Sequence, residues 1–313
     1  MNRYRLLIPT IALSAVLAAC TAGSGALGTV PPAPTSSAPA VDQGSPDVPP
    51  ASPTASPSAD VSAAPSPTGT TIVRAYFFLA GPPGSAGPVP VLREIPATKA
   101  TATAAMTAVL AGPNNAEQSA SISTTIPAGT QLLDLTVKSG VATVDLSREF
   151  ESGGGSASVL GRLAQVVYTL TQFPTVKSVV FEVEGRPVTT FSGQGVVLSG
   201  PVGRADYSDL LPAIFVDRPA YGAALGNPGR VTGNANVFEA TFKVQLLDAG
   251  GKVLVDQQVM ATCGSGCRGT FDTTLHYTVT KGQYGTLRVL DLSAKDGSPE
   301  NVRECAVWLT PAG

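Results

Sequence analysis

The sequence predicts an α+β domain followed by an all-β sandwich, the pair preceded by a long unstructured linker. Three observations carry that expectation. From about 70 to 201, strand-like runs alternate with two stretches of helical periodicity. From about 207 to 310, short strand-like runs recur with turn residues between them and no helical stretch. From 21 to 70 there are no aromatic residues, and the only charges are Asp42, Asp47 and Asp60. The 313 residues include 33 Gly and 27 Pro, and only 13% are charged, about half the share usual in a soluble protein. With a formal net charge of -2 and no basic block, nucleic acid is not an expected partner, because phosphate neutralisation needs clustered Lys and Arg. A single histidine leaves little room for His-based catalysis or a multi-His metal site.

Residues 1–19 read as an export signal. Arg3 and Arg5 precede an apolar run at 6–17, too short for the roughly 20 residues that span a bilayer. The run ends in Leu17-Ala18-Ala19-Cys20, which resembles the lipobox of bacterial lipoproteins. The resemblance implies cleavage before Cys20, lipid on its sulfur, and anchoring at the extracytoplasmic face of the membrane. The alternative is an ordinary secretory signal with a chance cysteine. Residues 20–70 follow as a lipidated cysteine and a linker with eleven prolines from Pro31 to Pro67. Such a stretch cannot bury enough apolar surface to offset its ordering entropy, so a disordered, partly polyproline tether of at most about 150 Å is expected.

The first folded region is expected at 71–202. A β-branched and aromatic run at 72–79 stops at Gly81-Pro82-Pro83, and 89–95 makes a second strand. Residues 100–111 read as a helix with Ala102, Met106, Val109 and Leu110 on one face, ended by Gly112-Pro113. Leu133, Leu135 and Val137 alternate up to the turn Lys138-Ser139-Gly140, and Ala142, Val144 and Leu146 alternate after it, a hairpin signal. Ser156 or Ser158 can cap the next helix, whose apolar face is Val159, Leu160, Leu163, Val166, Val167 and Leu170. Val179, Phe181 and Val183 make the closing strand. The segments "VLREIP", "AVLAGP", "TIPAGTQLLDLTVKSGVATVDLSREF" and "LAQVVYTLTQFPTVKSVVFEVEGRPV" resemble the GerMN domain of bacterial sporulation and germination proteins. The resemblance covers about 120 residues and implies an extracytoplasmic interaction domain, similar in fold to ring-building modules of secretion-like complexes, with no accepted catalytic residues.

The second region is expected at 207–311, with strands at 213–217, 230–233, 239–247, 253–261, 271–279, 286–292 and 302–309. Seven short strands without a helix argue for an immunoglobulin-like sandwich. "IFVDRPAYGAALGNPGRVTGNANVFEATFKVQLLDAGGKVL", "CGSGCRGTF" and "LSAKDGS" resemble the immunoglobulin-like domain of bacterial spore germination proteins, which commonly follows a GerMN domain. That resemblance implies binding or scaffolding in the envelope and does not by itself imply germination. The connection at 192–210 holds five glycine or proline residues and the apolar run Val196-Val197-Leu198, so a short docked strand can form there.

Cys263 and Cys267 flank Gly264-Ser265-Gly266, flexible enough to close a disulfide in an oxidising compartment. Pairing of either with Cys305, and zinc held by these three with His276, are the alternatives. Cys305 alternates with Val307 and Leu309 and reads as a core thiol. His276 falls on the face of Thr274 and Thr278, and no G-x-S-x-G elbow supplies a nucleophile. Gly153-Gly154-Gly155 before a helix could cradle an anion, but no nucleotide motif follows, and a flexible loop is the plainer reading. Asp145, Glu149 and Glu151 could pair as carboxylates for hydrolysis, or simply border a solvated turn with Arg148. Asp291 and Asp296-Gly297 lack a calcium-loop pattern.

The resulting expectation is a lipid-anchored, non-catalytic adaptor of the cell envelope, with no cofactor and no metal. Its partners are the membrane through Cys20, one or more envelope proteins, and contact with the cell wall. Its candidate binding patch is Arg218, Pro219 and Tyr221 together with Asn236, Phe238 and Glu239. The alternatives are a carbohydrate- or small-molecule-binding module and an envelope hydrolase using the acidic cluster.

Overall fold

The computed structural model describes residues 69–191 and 195–312; the export signal, Cys20 and nearly all of the Pro-rich linker lie outside the described residues. The first domain opens with a ten-residue antiparallel hairpin of β1 (Thr70–Leu79) and β2 (Gly87–Pro96). Helices α1 (Thr101–Leu110) and α2 (Asn115–Ser119) follow, and β3 (Ile122–Ser123) pairs with β1 at Phe78 and Leu79. The short α2 was not anticipated, although its capping box is legible: Asn114 accepts from the Glu117 amide, and the Glu117 side chain accepts from the Asn114 amide.

A second sheet, ordered β4-β5-β6-β7, contains β4 (Leu132–Lys138), β5 (Val141–Leu146), β6 (Ser178–Val183) and β7 (Arg186–Pro187). The parallel pair β5–β6 is joined by α3 (Ser156–Leu170), the long crossover that parallel strands require. The cap of α3 is Gly155, which offers no side chain; Ser156 is already helical, and Ser158 accepts from Arg162 instead of capping. The periodicity of α3 marks one apolar face, yet every residue from Gly161 to Leu170 is buried. The reason is its polar stripe, which meets a strand edge rather than water. Gln165 Nε2 donates to the Tyr76 carbonyl, Thr169 Oγ1 accepts from the Tyr76 amide, and Gln172 just past the helix both accepts from and donates to the Arg74 backbone. At Arg74 and Tyr76 the edge of β1 not covered by β2 or β3 is thereby satisfied by side chains.

The connection forms β8 (Thr190–Phe191) and β9 (Val196–Val197), a bridge from Val202 to Val179, and a 3-10 turn at Arg204–Leu210. The sandwich packs the sheet β10-β12-β15 on the sheet β11-β17-β16-β13-β14. Its strands are β10 (Ile214–Arg218), β11 (Ala224–Leu225), β12 (Gly229–Ala235), β13 (Thr241–Leu247), β14 (Val253–Met260), β15 (Gly269–Leu275), β16 (Gln283–Leu292) and β17 (Pro299–Leu309). Among the described residues eight strands form against the seven expected, β11 being the addition; β16 and β17 each begin three residues earlier than expected, and two other strands are cut shorter. The strand expected from 239 begins at Thr241, because Glu239 (φ 52°) and Ala240 (φ 57°) adopt left-handed backbone. The strand expected to reach 279 ends at Leu275 and leaves His276 exposed. Phe242 and Phe271 meet edge to face at 4.9 Å inside this core.

Candidate interaction site at the domain seam

Strand alternation sends β10 in two directions. Ile214 and Val216 enter the sandwich core, while Phe215 enters the core of the first domain and meets Tyr168 edge-on at 6.0 Å. Asp217, two residues further on the same face, lands in a ring of first-domain and connecting side chains. It accepts from Tyr76 Oη at 2.6 Å and lies 3.4 Å from Arg74 Nη1 and 3.5 Å from Arg204 Nη1. Arg204 also donates to the Tyr168 carbonyl at 3.1 Å and stacks over the Tyr168 ring at 4.7 Å. Burial, and then the charge of Asp217, raise the Tyr76 phenol far above its ordinary value, while burial pushes Tyr168 up to about 12.

The opposite edge of the first domain is built of acceptors. Pro88 and Pro90 sit across from Phe78 and Tyr76, at positions of β2 whose backbone groups face away from β1, so that edge has carbonyls but no N–H there. The sandwich supplies the donors. The buried guanidinium of Arg303 donates to the carbonyls of Ser85, Gly87 and Pro88, the last at 2.7 Å. The amides of Ala213 and Tyr221 donate to Gly84 and Pro90, at 2.7 and 2.8 Å. Cys305, two residues from Arg303, packs into the first-domain core, where burial pushes its thiol up. The domains therefore meet through a shared core and a buried polar network.

The candidate patch proposed from sequence does not form one surface. Arg218, Pro219 and Tyr221 lie at the seam, at and after the end of β10, whereas Asn236, Phe238 and Glu239 follow β12 beside the start of β10, where the Asn236 amide donates to the Ala213 carbonyl. The five residues of β10 span roughly 15 Å. The second group is organised by the loop of the disulfide between Cys263 and Cys267, Cα atoms 5.8 Å apart. Gly266 N donates to Asn236 Oδ1, Ser265 N to the Val237 carbonyl, and Glu239 N to Ser265 Oγ, leaving Phe238 58% exposed. Tyr221 is held by its backbone on Pro90, a packing role.

The other chemical candidates resolve into supports. Asp145 accepts from the Gly185 amide, and Glu149 accepts from the Ser147 hydroxyl, which holds its carboxyl below the usual range, the reverse of a hydrolytic general acid. The segment leading into Gly153-Gly154-Gly155 turns the carbonyls of Phe150, Ser152 and Gly153 toward buried Arg162, which donates to all three, so this stretch holds a cation. Among the described residues no group of three or more His, Cys, Asp or Glu is placed to hold a metal ion, and no helix is long and apolar enough to cross a membrane. Tyr284 and Trp308 are partly exposed but perpendicular, at 81°, so they make no flat stacking platform.

Comparison with known proteins fits the two domains. Residues 74–189 match the family Germane, described as sporulation and spore germination. Residues 213–298 match the family Gmad2, the immunoglobulin-like domain of bacterial spore germination. Among solved structures, the first GerMN domain of the Bacillus subtilis sporulation protein GerM is 20% identical, covering 44% of this chain and 99% of that one, with a TM-score of 0.36. The tandem GerMN domains of GerM are 16% identical over 66% of this chain and 62% of that one, TM-score 0.38. A candidate lipoprotein from Clostridium perfringens is 21% identical over 48% of this chain and 97% of that one, TM-score 0.32. No curated protein matches the chain significantly.

Proposed function

We propose that this protein, in which a Germane domain is followed by a Gmad2 domain, serves as a lipid-anchored, non-catalytic adaptor at the outer face of a bacterial cell membrane. The observation that carries the reading is the seam. Phe215 and Cys305 complete the core of the first domain, and Arg303 and Asp217 bind it to the second, so two interaction modules present one composite surface. Rigid coupling of this kind suits a scaffold, because a partner spanning both modules need not order them on binding. Cys20 supplies the anchor, and the Pro-rich linker sets the reach.

The reading is tested on the full chain expressed in its native membrane, beside a Cys20→Ala variant. The expected result is fatty-acid labelling and membrane retention of the wild type only, with a discrete envelope protein cross-linked to it. A wild type that is unlabelled, or that cross-links no protein beyond those captured by an unrelated lipoprotein, removes the adaptor. A truncation after Val202 is not a clean alternative, since it strips Phe215 and Cys305 from the first core.

A further inference from the structure

Beside the Asp217 ring, the two domains leave a cleft of about 540 Å³. Arg74, Arg218 and Arg230 line it and no carboxylate does, in a chain whose acids outnumber its bases, 22 to 20. Arg74 shares Asp217, and Arg230 is paired with Asp272 on its outer side. Arg218 is exposed and has no carboxylate within ion-pair distance among the described residues.

Apart from Gln172, whose amide is engaged by the Arg74 backbone, the remaining wall is apolar and includes Ile72, which is 65% exposed, Phe173 and Pro219. One edge of the cleft is an unfinished strand ladder. Alternation aims the N–H and C=O of Ile72 to the same side as those of Arg74 and Tyr76. Gln165, Thr169 and Gln172 satisfy Tyr76 and Arg74, but α3 has ended by then and no described residue continues the ladder to Ile72.

We propose that this cleft receives an extended acidic peptide segment of a partner protein. Its backbone pairs with Ile72 as an added strand, a carboxylate takes the guanidinium of Arg218 as a two-pronged hydrogen-bonded pair, and an apolar side chain rests on Ile72 and Phe173. Charge complementarity and the open strand edge select this occupant. A polyol-phosphate chain would satisfy the arginines but has nothing to offer the apolar wall or the backbone of Ile72. The proposal deepens the adaptor reading by naming the chemistry of the partner.

The test is selection of random displayed nonapeptides on the full chain, followed by affinity measurement of the enriched peptides. The expected outcome is an excess of Asp and Glu in the enriched pool. Arg218→Glu should weaken those peptides at least tenfold, Ile72→Lys should weaken them without reversing charge preference, and Arg148→Glu on the far surface should leave them unchanged. Arg218 is exposed, so its reversal leaves the fold intact. An enriched pool without acidic excess, equal binding by Arg218→Glu, or displacement of the peptides by a ribitol-phosphate oligomer each overturns the proposal. The two readings fail separately. Peptide binding requires no membrane partner, and a membrane partner captured equally well by Arg218→Glu would overturn the cleft while leaving the adaptor standing.

Discussion

Arg162 and Arg303 are the same chemical solution used at two scales. Each is buried, 1% and 4% exposed, each faces backbone carbonyls rather than a carboxylate, and burial lowers the pKa of both guanidinium groups. Arg162 takes its carbonyls from a loop just upstream in its own domain. Arg303 takes its carbonyls from Ser85, Gly87 and Pro88, across the seam and more than two hundred residues away. The first holds a loop, whereas the second makes two folding units behave as one. Bonds from a charged donor contribute about 1.5–3 kcal/mol each in stability, and in both cases the carbonyls left behind would lose their partners.

The largest effect should come from Arg303→Met. Three seam carbonyls lose their donor on a β2 edge that has no N–H at Pro88 or Pro90 to re-pair; at about 1–3 kcal/mol for each buried acceptor left unpaired, about 3–5 kcal/mol of stability is expected to go. Calorimetry should show one transition for the wild type and two for this variant. An unsplit, unshifted transition would mean that the shared core alone couples the domains.

Arg162→Met should cost about 2–3 kcal/mol yet keep one transition, because its three carbonyls belong to a surface loop that water can reach once the clamp is gone. The Nε of Arg162 has no partner even in the folded state, which lowers what the substitution removes. Limited proteolysis should cut at 151–155 in this variant first. Two transitions here and one in Arg303→Met would invert the comparison.

Replacing Cys263 and Cys267 together by Ser tests a third, smaller clamp. On the chain-entropy estimate a ring this short contributes about 2 kcal/mol. The loss should stay local: faster amide exchange at Ser265, Gly266 and Glu239, whose hydrogen bonds join the ring to the Phe238 turn. Unchanged exchange at those three amides would show that the close packing of Gly264 on Ala240 holds the turn without the disulfide.

Much of this fold was readable in advance, and the unread parts share one cause. The hairpins, the two longer helices and seven sandwich strands follow from periodicity and turn residues, which report on a segment's own faces. Gln165, Thr169 and Gln172 looked like the wet side of an amphipathic helix, since a polar stripe facing a strand edge has the same spacing as one facing water. The split of the Arg218 and Phe238 groups was equally hidden, because it depends on the antiparallel pairing of β10 with β12, which sets the two groups at opposite ends of β10. Two signals were present and unused. Arg303 shares the inward register of Cys305, Val307 and Leu309, an arginine where a core residue is expected. Pro88 and Pro90 alternate within a strand, marking an edge that can only accept.

The smallest expected effect belongs to the other half of the seam, and it depends on pH. In Tyr76→Phe the carboxylate of Asp217 keeps Arg74 and Arg204, so at pH 7 the cost should be about 1.5 kcal/mol, the low end for a hydrogen bond to a charged group. The alkaline side is more telling. Tyr76 is a phenol whose native pKa is raised, chiefly by burial and then by Asp217, so the folded protein holds this proton more tightly than the unfolded chain. Its contribution is complete below about pH 10, where the unfolded tyrosine begins to ionise, and is lost as pH rises toward the native value. The wild-type melting temperature should therefore fall from about pH 10 upward, each such tyrosine adding up to about 1.4 kcal/mol per pH unit. Tyr168, pushed up to about 12, and Tyr207, also raised by burial, keep their share in the variant. Tyr76→Phe should flatten the decline by one proton's worth and leave the rest. An unaltered alkaline slope would place Tyr76 in contact with solvent, and the polar half of the seam would then be open where the Arg303 half is closed.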